Sequence, residues 1–109
     1  MYKIDNATKR ISLIRGDTLK LQIGIIVNGE SYTPASGDAI RFKLKDNYES
    51  SDVLITKTIP NDTLLLQLNP SDTAGFRFGG YDYDIQITFA NGDVDTFITG
   101  KFEILPELD

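Results

Sequence analysis

Carboxylates are the groups in this sequence whose type and spacing come nearest to chemistry. Asp82 and Asp84 alternate along the chain before an Asn91-Gly92 pair, Asp93 and Asp95 follow it, and Asp46, Asn47, Glu49 and Asp52 add oxygens upstream. Such groups serve two chemistries, calcium coordination and acid–base cleavage of a glycosidic bond. Calcium gathers six or more oxygens from a curved loop, whereas Asp-x-Asp on a strand holds its carboxylates about 7 Å apart. Glycosidic cleavage needs a cleft and one carboxyl in a less polar setting, and alternation on an open sheet face provides neither. Asp82, Asp84 and Asp95 are therefore expected to form a solvated acidic face, and no residue is assigned a catalytic, metal-binding or cofactor-binding role. Histidine and cysteine are absent, which removes the commonest general base, any thiolate nucleophile, any disulfide and any cysteine-ligated zinc. Tryptophan is absent as well. The chain reads as a non-enzyme.

Aromatic residues beside flexible glycines point instead to contact with a partner. In Phe76-Arg77-Phe78-Gly79-Gly80 two phenylalanines flank an arginine, residue types enriched at interaction hot spots, although packing at the edge of the core is the plainer expectation. Tyr48, in the polar stretch Asp46 to Asp52, and Phe97, on the nominally polar side of a strand, are the other contact candidates. An exposed apolar patch joining Phe97 to Leu65 or Ile26 would mark a partner surface. Arg15-Gly16-Asp17 spells an integrin-recognised tripeptide, but Gly-Asp recurs at Gly37-Asp38 and Gly92-Asp93, each time where a turn hands over to a strand. The expected role is turn formation, with glycine supplying positive φ.

The elements that position these residues are strands. Tyr81 to Ile104 reads as a β-hairpin; a two-residue type I′ turn at Asn91-Gly92 would pair Phe89 with Val94, Ile87 with Thr96, Ile85 with Ile98 and Tyr81 with Phe102 on one face. The other face would set Thr88 against Asp95, Gln86 against Phe97 and Asp82 against Lys101. Leu19, Leu21, Ile23, Ile25 and Val27 alternate through one long strand, and Asn28-Gly29 then sets Val27 opposite Glu30 and Ile25 opposite Tyr32 until Pro34. Ile40, Phe42 and Leu44 alternate with Arg41, Lys43 and Lys45; Val53, Ile55 and Ile59 keep phase across Lys57; Leu64, Leu66 and Leu68 form a further strand. A strand around Ile11 to Ile14 opens the sheet. Asn69 to Gly75, with proline at the first helical position, predicts a single helical turn. The expected fold is all-β, an antiparallel β-sandwich of about seven strands with immunoglobulin-like layering, in one domain over residues 1–109.

Composition bounds the partners. The formal net charge of −5 disfavours a grip on phosphate backbones, so nucleic acid is not expected. No apolar run approaches membrane-spanning length, and Met1 to Asp5 lacks the apolar core of a signal peptide, so synthesis in the cytoplasm without encoded export is expected. Sequons at Asn6 and Asn61 would matter only in a secretory pathway.

The order of motifs carries a resemblance. Ile14-Arg15-Gly16-Asp17-Thr18 precedes the first alternating strand, followed by Asn28-Gly29-Glu30, Gly37-Asp38-Ala39-Ile40-Arg41-Phe42, Leu68-Asn69-Pro70-Ser71-Asp72-Thr73, Gly80-Tyr81-Asp82-Tyr83-Asp84-Ile85 and Phe102-Glu103-Ile104. This order resembles small β-sandwich structural proteins of tailed phages and prophages of Gram-positive bacteria, above all the N-terminal domain of baseplate upper proteins. The resemblance implies a non-enzymatic virion or tail module that works by contact with other phage structural proteins, with a homo-oligomeric ring as one form of assembly. Members commonly continue into helical linkers or receptor-recognising domains, whereas this sequence ends at Pro106-Glu107-Leu108-Asp109; holding a host receptor is therefore not expected of it. An alternative is a small acidic binding protein that modulates a host or phage factor, its Asp82, Asp84 and Asp95 face mimicking a charged ligand.

Overall fold

Alternation of apolar and polar residues places most of the strands, and long-range pairing decides the rest. In the computed structural model residues 2–5, 9–27 and 29–106 are described, with side chains for 9–26 and 29–106. Asn6, Asn28 and Glu107 to Asp109 lie outside them. The elements run β1 (Tyr2–Asp5), β2 (Arg10–Ile14), β3 (Leu19–Gln22), β4 (Ile26–Val27), β5 (Glu30–Ser31), β6 (Ala39–Lys45), β7 (Val53–Ile59), β8 (Leu65–Leu68), α1 (Pro70–Thr73), β9 (Gly79–Thr88) and β10 (Val94–Leu105). A six-stranded sheet has the order β1-β2-β10-β9-β6-β7, and two ribbons, β3-β8 and β4-β5, complete an all-β protein. Among the described residues no helix is long and apolar enough to cross a membrane.

One core receives both the sheet and the ribbons. Phe42, Tyr83 and Phe102 stack at its centre with centroids 5.6 to 6.3 Å apart. Leu19, Leu66 and Leu68 from the β3-β8 ribbon, and Ile25 beside β4, are buried in the same cluster. Ile40, Phe42 and Leu44 face this core as their alternation predicts. In α1, Asn69 stands at the N-cap, and its N–H donates to the Asp72 carboxylate at 2.7 Å.

Five expectations are corrected. The strand over residues 18–27 is broken: Ile23 N–H bonds Leu64 O at 3.0 Å, and Ile25 O accepts from Tyr32 N–H at 2.8 Å. The chain thus changes partner at Gly24, from β8 to β5, while the expected Val27–Glu30 register holds. The sheet opens on β1, which pairs with β2 in a register from Tyr2 opposite Leu13 to Asp5 opposite Arg10; a segment this short carries too little periodicity to announce itself. The described residues thus form ten strands rather than about seven. The pairing of β2 with β10 is parallel, so the sheet is mixed. Val53 leaves the apolar phase because a bulge between Leu44 and Lys45 sets it opposite Lys45, on the outer face.

The hairpin of β9 and β10 carries a further departure. From Ile98 opposite Ile85 to Phe102 opposite Tyr81 its register is the expected one, but from Val94 to Thr96 it is displaced by one residue. The loop is Ala90-Asn91-Gly92: Gly92 N–H bonds Phe89 O at 2.8 Å, Phe89 N–H bonds Asp93 O at 2.7 Å, and Gly92 has φ +95°. A three-residue loop with glycine in the left-handed region replaces the type I′ turn. The displacement is absorbed at Phe97, where the register shifts back.

Candidate functional site

The outer face of the six-stranded sheet joins the acidic and basic rows named from the sequence. In the β6–β9 register Lys43 stands opposite Asp84 and Lys45 opposite Asp82. On the other side Asp82 is opposite Lys101, whose Nζ lies 2.6 Å from its Oδ1. The second oxygen of Asp82 accepts the Tyr48 N–H at 3.0 Å, leaving the residue only 5% exposed. Asp84 Oδ1 is buried without a hydrogen-bond partner among the described residues. Asp95 does not belong to this face. Ahead of the bulge it pairs with Ile87, a core residue, so the expected trio of acids is divided between the two sides of the sheet.

Tyr48 lies across that face. Its hydroxyl approaches the carbonyls of Tyr83 and Gly100 at 3.3 and 3.4 Å, while half of the residue remains exposed. Beneath it, on the core side, the Tyr83 hydroxyl donates to Lys9 O at 2.5 Å. Burial, with a smaller contribution from Tyr48, pushes the Tyr83 phenol up to about 12.

Phe76 to Gly80 forms a stack of arginines and rings at the end of β9. Phe76 is half-buried, its ring 5.8 Å from that of Tyr81. Arg77 lies over the Tyr81 ring, 4.4 Å from its centroid, and pairs with the Asp46 carboxylate. Phe78 is 45% exposed, and the Arg15 guanidinium sits 4.2 Å from its ring centre while donating to Phe76 O at 3.1 Å. The three candidates thus have separate fates: Phe76 packs, Arg77 pairs and Phe78 faces solvent. Arg15, Gly16 and Asp17 sit in the turn closed by Asp17 N–H to Ile14 O at 3.0 Å, with Gly16 at φ +83°. The guanidinium of the tripeptide is engaged with Phe76 and Phe78.

Phe97 is half-buried and packs on the core from the bulge, Leu65 is half-buried, and Ile26 is 66% exposed. A cavity of about 320 Å³, lined by Arg10, Asp46, Gly80, Lys101 and Glu103 among others, opens on the outer face, where Arg10 and Glu103 pair at 2.9 Å. Among the described residues no group of three or more histidines, cysteines or carboxylates could hold a metal ion.

Sequence reasoning missed Asp38 as anything beyond a turn residue. It is buried, and its carboxylate receives Tyr32 O–H at 2.5 Å, Ala35 N–H at 2.9 Å and Ala90 N–H at 3.0 Å. The Tyr32 hydroxyl first, then the Ala35 N–H, holds the carboxyl below the usual carboxylate range. The available signal was a tyrosine six residues upstream of a Gly-Asp turn, too common a pattern to single out. No protein-family model matches this chain, and no curated protein matches it.

Proposed function

We propose that this chain is a non-enzymatic structural module of a phage or prophage virion or tail, associated with the baseplate, which acts through protein–protein contacts. The observation that carries the reading is the matching of charge within the outer face. Lys101 with Asp82, Arg10 with Glu103 and Arg77 with Asp46 engage one another, so the charged side chains act within the fold. What stands out to solvent is apolar: Phe78 beside Arg15, together with Ile26 and Val94. The same matching favours this reading over that of an acidic mimic, since Asp82 is buried against Lys101 and Asp95 lies on the other side of the sheet.

The order of turn motifs supports the phage assignment, with Gly16, Gly37 and Gly92 all at positive φ where Gly-Asp hands over to the next segment. We read the six-stranded sheet and the β3-β8 ribbon as the layers of a β-sandwich with immunoglobulin-like layering; support comes from the single core to which both contribute. Other phage structural proteins, or further copies of the chain, are the partners, with synthesis in the host cytoplasm before incorporation. Induction of a lysogen that carries a tagged copy, followed by gradient purification of particles, tests this. The chain should sediment with tails; a chain found only in the unassembled fraction would overturn the proposal.

A further inference from the structure

The tip of the β9–β10 hairpin holds a reactive pair of residues in an unreactive shape. In Asn-Gly the backbone nitrogen of glycine attacks the asparagine side-chain amide readily, because no Cβ on the second residue shields it. At Asn91-Gly92 the N–H proton would pass to hydroxide, a bond would form from Gly92 N to Asn91 Cγ, and ammonia would leave with a proton from water. Water then opens the five-membered succinimide at either carbonyl, giving aspartate or isoaspartate. The sequence also contains Asn28-Gly29, whose asparagine lies outside the described residues.

The loop denies Asn91 that attack. Gly92 N–H bonds Phe89 O at 2.8 Å and neither Ala90 nor Asn91 has positive φ, so residues 89–92 form a type I turn with Asn91 third. At that position ψ is near 0°, which leaves the Gly92 nitrogen about 120° from Cβ, whereas the succinimide ring needs the two eclipsed. Asp93 N–H donates to Asn91 Oδ1 at 2.9 Å, and Asn91 Nδ2 donates to Asp93 Oδ2 at 3.3 Å, so the side chain is fixed as well. The hydrogen that must leave Gly92 is the one held by Phe89 O. The turn is also pinned from outside, since Ala90 N–H donates to Asp38 at 3.0 Å and the Phe89 ring meets Tyr32 at 5.6 Å. Asn91 and Gly92 are exposed, so water and hydroxide reach them whenever the turn opens.

We propose that Asn91 is a masked modification site: the closed turn blocks succinimide formation, and opening of the hairpin tip permits it. Isoaspartate, with one more methylene in the backbone, no longer fits the three-residue loop, and either product adds a carboxylate beside Asp93. The conversion is irreversible, so it accumulates in chains whose tip has opened. This inference is independent of the virion reading.

The test incubates the folded protein and the urea-unfolded chain in mildly alkaline buffer and follows the tryptic peptide from Phe78 to Lys101 by mass spectrometry. Asn91 is the one asparagine in that peptide. Conversion should be at least tenfold slower in the folded protein, and the ratio of the two rates should match the open fraction that amide exchange reports at Gly92. Asp38→Asn, which weakens the hold on Ala90, should raise conversion and exchange together. If that variant folds poorly, low urea added to the unaltered protein supplies the same comparison. Equal rates in the folded and unfolded chains, or conversion that stays constant while exchange at Gly92 quickens, would overturn the proposal.

Discussion

Tyr32 donates its phenolic hydrogen to Asp38 at 2.5 Å, and through that carboxylate the loop before β6 is tied to the tip of the β9–β10 hairpin at Ala90. Asn61 adds a third segment by donating to the Asp38 carbonyl at 2.8 Å. Three connections far apart in sequence converge on one turn residue. The Tyr32 ring also meets Phe89 edge-on at 5.6 Å, so the polar tie lies against an apolar contact.

The tie makes stability depend on pH at both ends. The Asp38 carboxyl is held below its ordinary value chiefly by Tyr32. Its contribution is therefore present above the unfolded value near pH 4, and is lost as pH falls through the lower folded value. The Tyr32 phenol is raised, mainly by its bond to Asp38, so its contribution is complete below about pH 10 and is lost as pH rises through the folded value. Thermal melts of the protein and of Asp38→Asn should differ by a constant interval at neutral pH, and the interval should shrink in acid. An interval that persists unchanged to pH 2 would refute the account.

Two aspartates that look equivalent in sequence should respond differently to reversal of charge. Asp82→Lys sets a third cation between Lys45 and Lys101 at a buried position and is expected to cost about 2–4 kcal/mol. Asp95→Lys lies at an exposed position with no such neighbours in its register and should stay within about 0.5 kcal/mol. Urea denaturation of the two variants decides the matter, and equal losses would contradict the division of the acids by the bulge.

Phe97 separates docking from packing. Half-buried on the core, it should contribute about 1–3 kcal/mol, so Phe97→Ser is expected to lower the denaturation midpoint. If the solution mass of the variant is unchanged while its stability falls, Phe97 acts as a core residue. A shift in mass at unchanged stability would make it an interface residue instead.

Local pattern carried the strands whose partners are near in sequence, and failed where a distant group chose between two locally acceptable forms. Ile40, Phe42 and Leu44 alternate and are buried. Asn-Gly illustrates the limit. After Val27 it accompanies the two-residue register, whereas after Ala90 it sits in a three-residue loop whose Ala90 N–H is taken by Asp38. The Asp38 carboxylate comes from a part of the chain that no reading confined to the hairpin could include. From that loop the displaced register, the bulge at Phe97 and the transfer of Asp95 to the other side all follow. The stack of Arg15 on Phe78 was hidden for the same reason, because the two residues meet only through the tertiary fold.

Gly100 and Gly80 lie in adjacent strands, and an alanine scan should tell them apart. At Gly100 a Cβ would stand 2.4 Å from Lys9 O and 3.0 Å from the Tyr83 ring, and the first of these is backbone that cannot swing aside. Gly100→Ala must push the β1–β2 connection outward, weakening the 2.5 Å bond from Tyr83 to Lys9 O, at an expected cost of about 1–3 kcal/mol. At Gly80 a Cβ meets nothing within 4 Å, and Gly80→Ala should be neutral or slightly stabilising through the unfolded chain. Amide exchange adds a spatial check: loss of protection in Gly100→Ala should centre on β2 and the facing end of β10. A uniform loss across the sheet would show instead that the close approach of Lys9 is not what makes glycine necessary there.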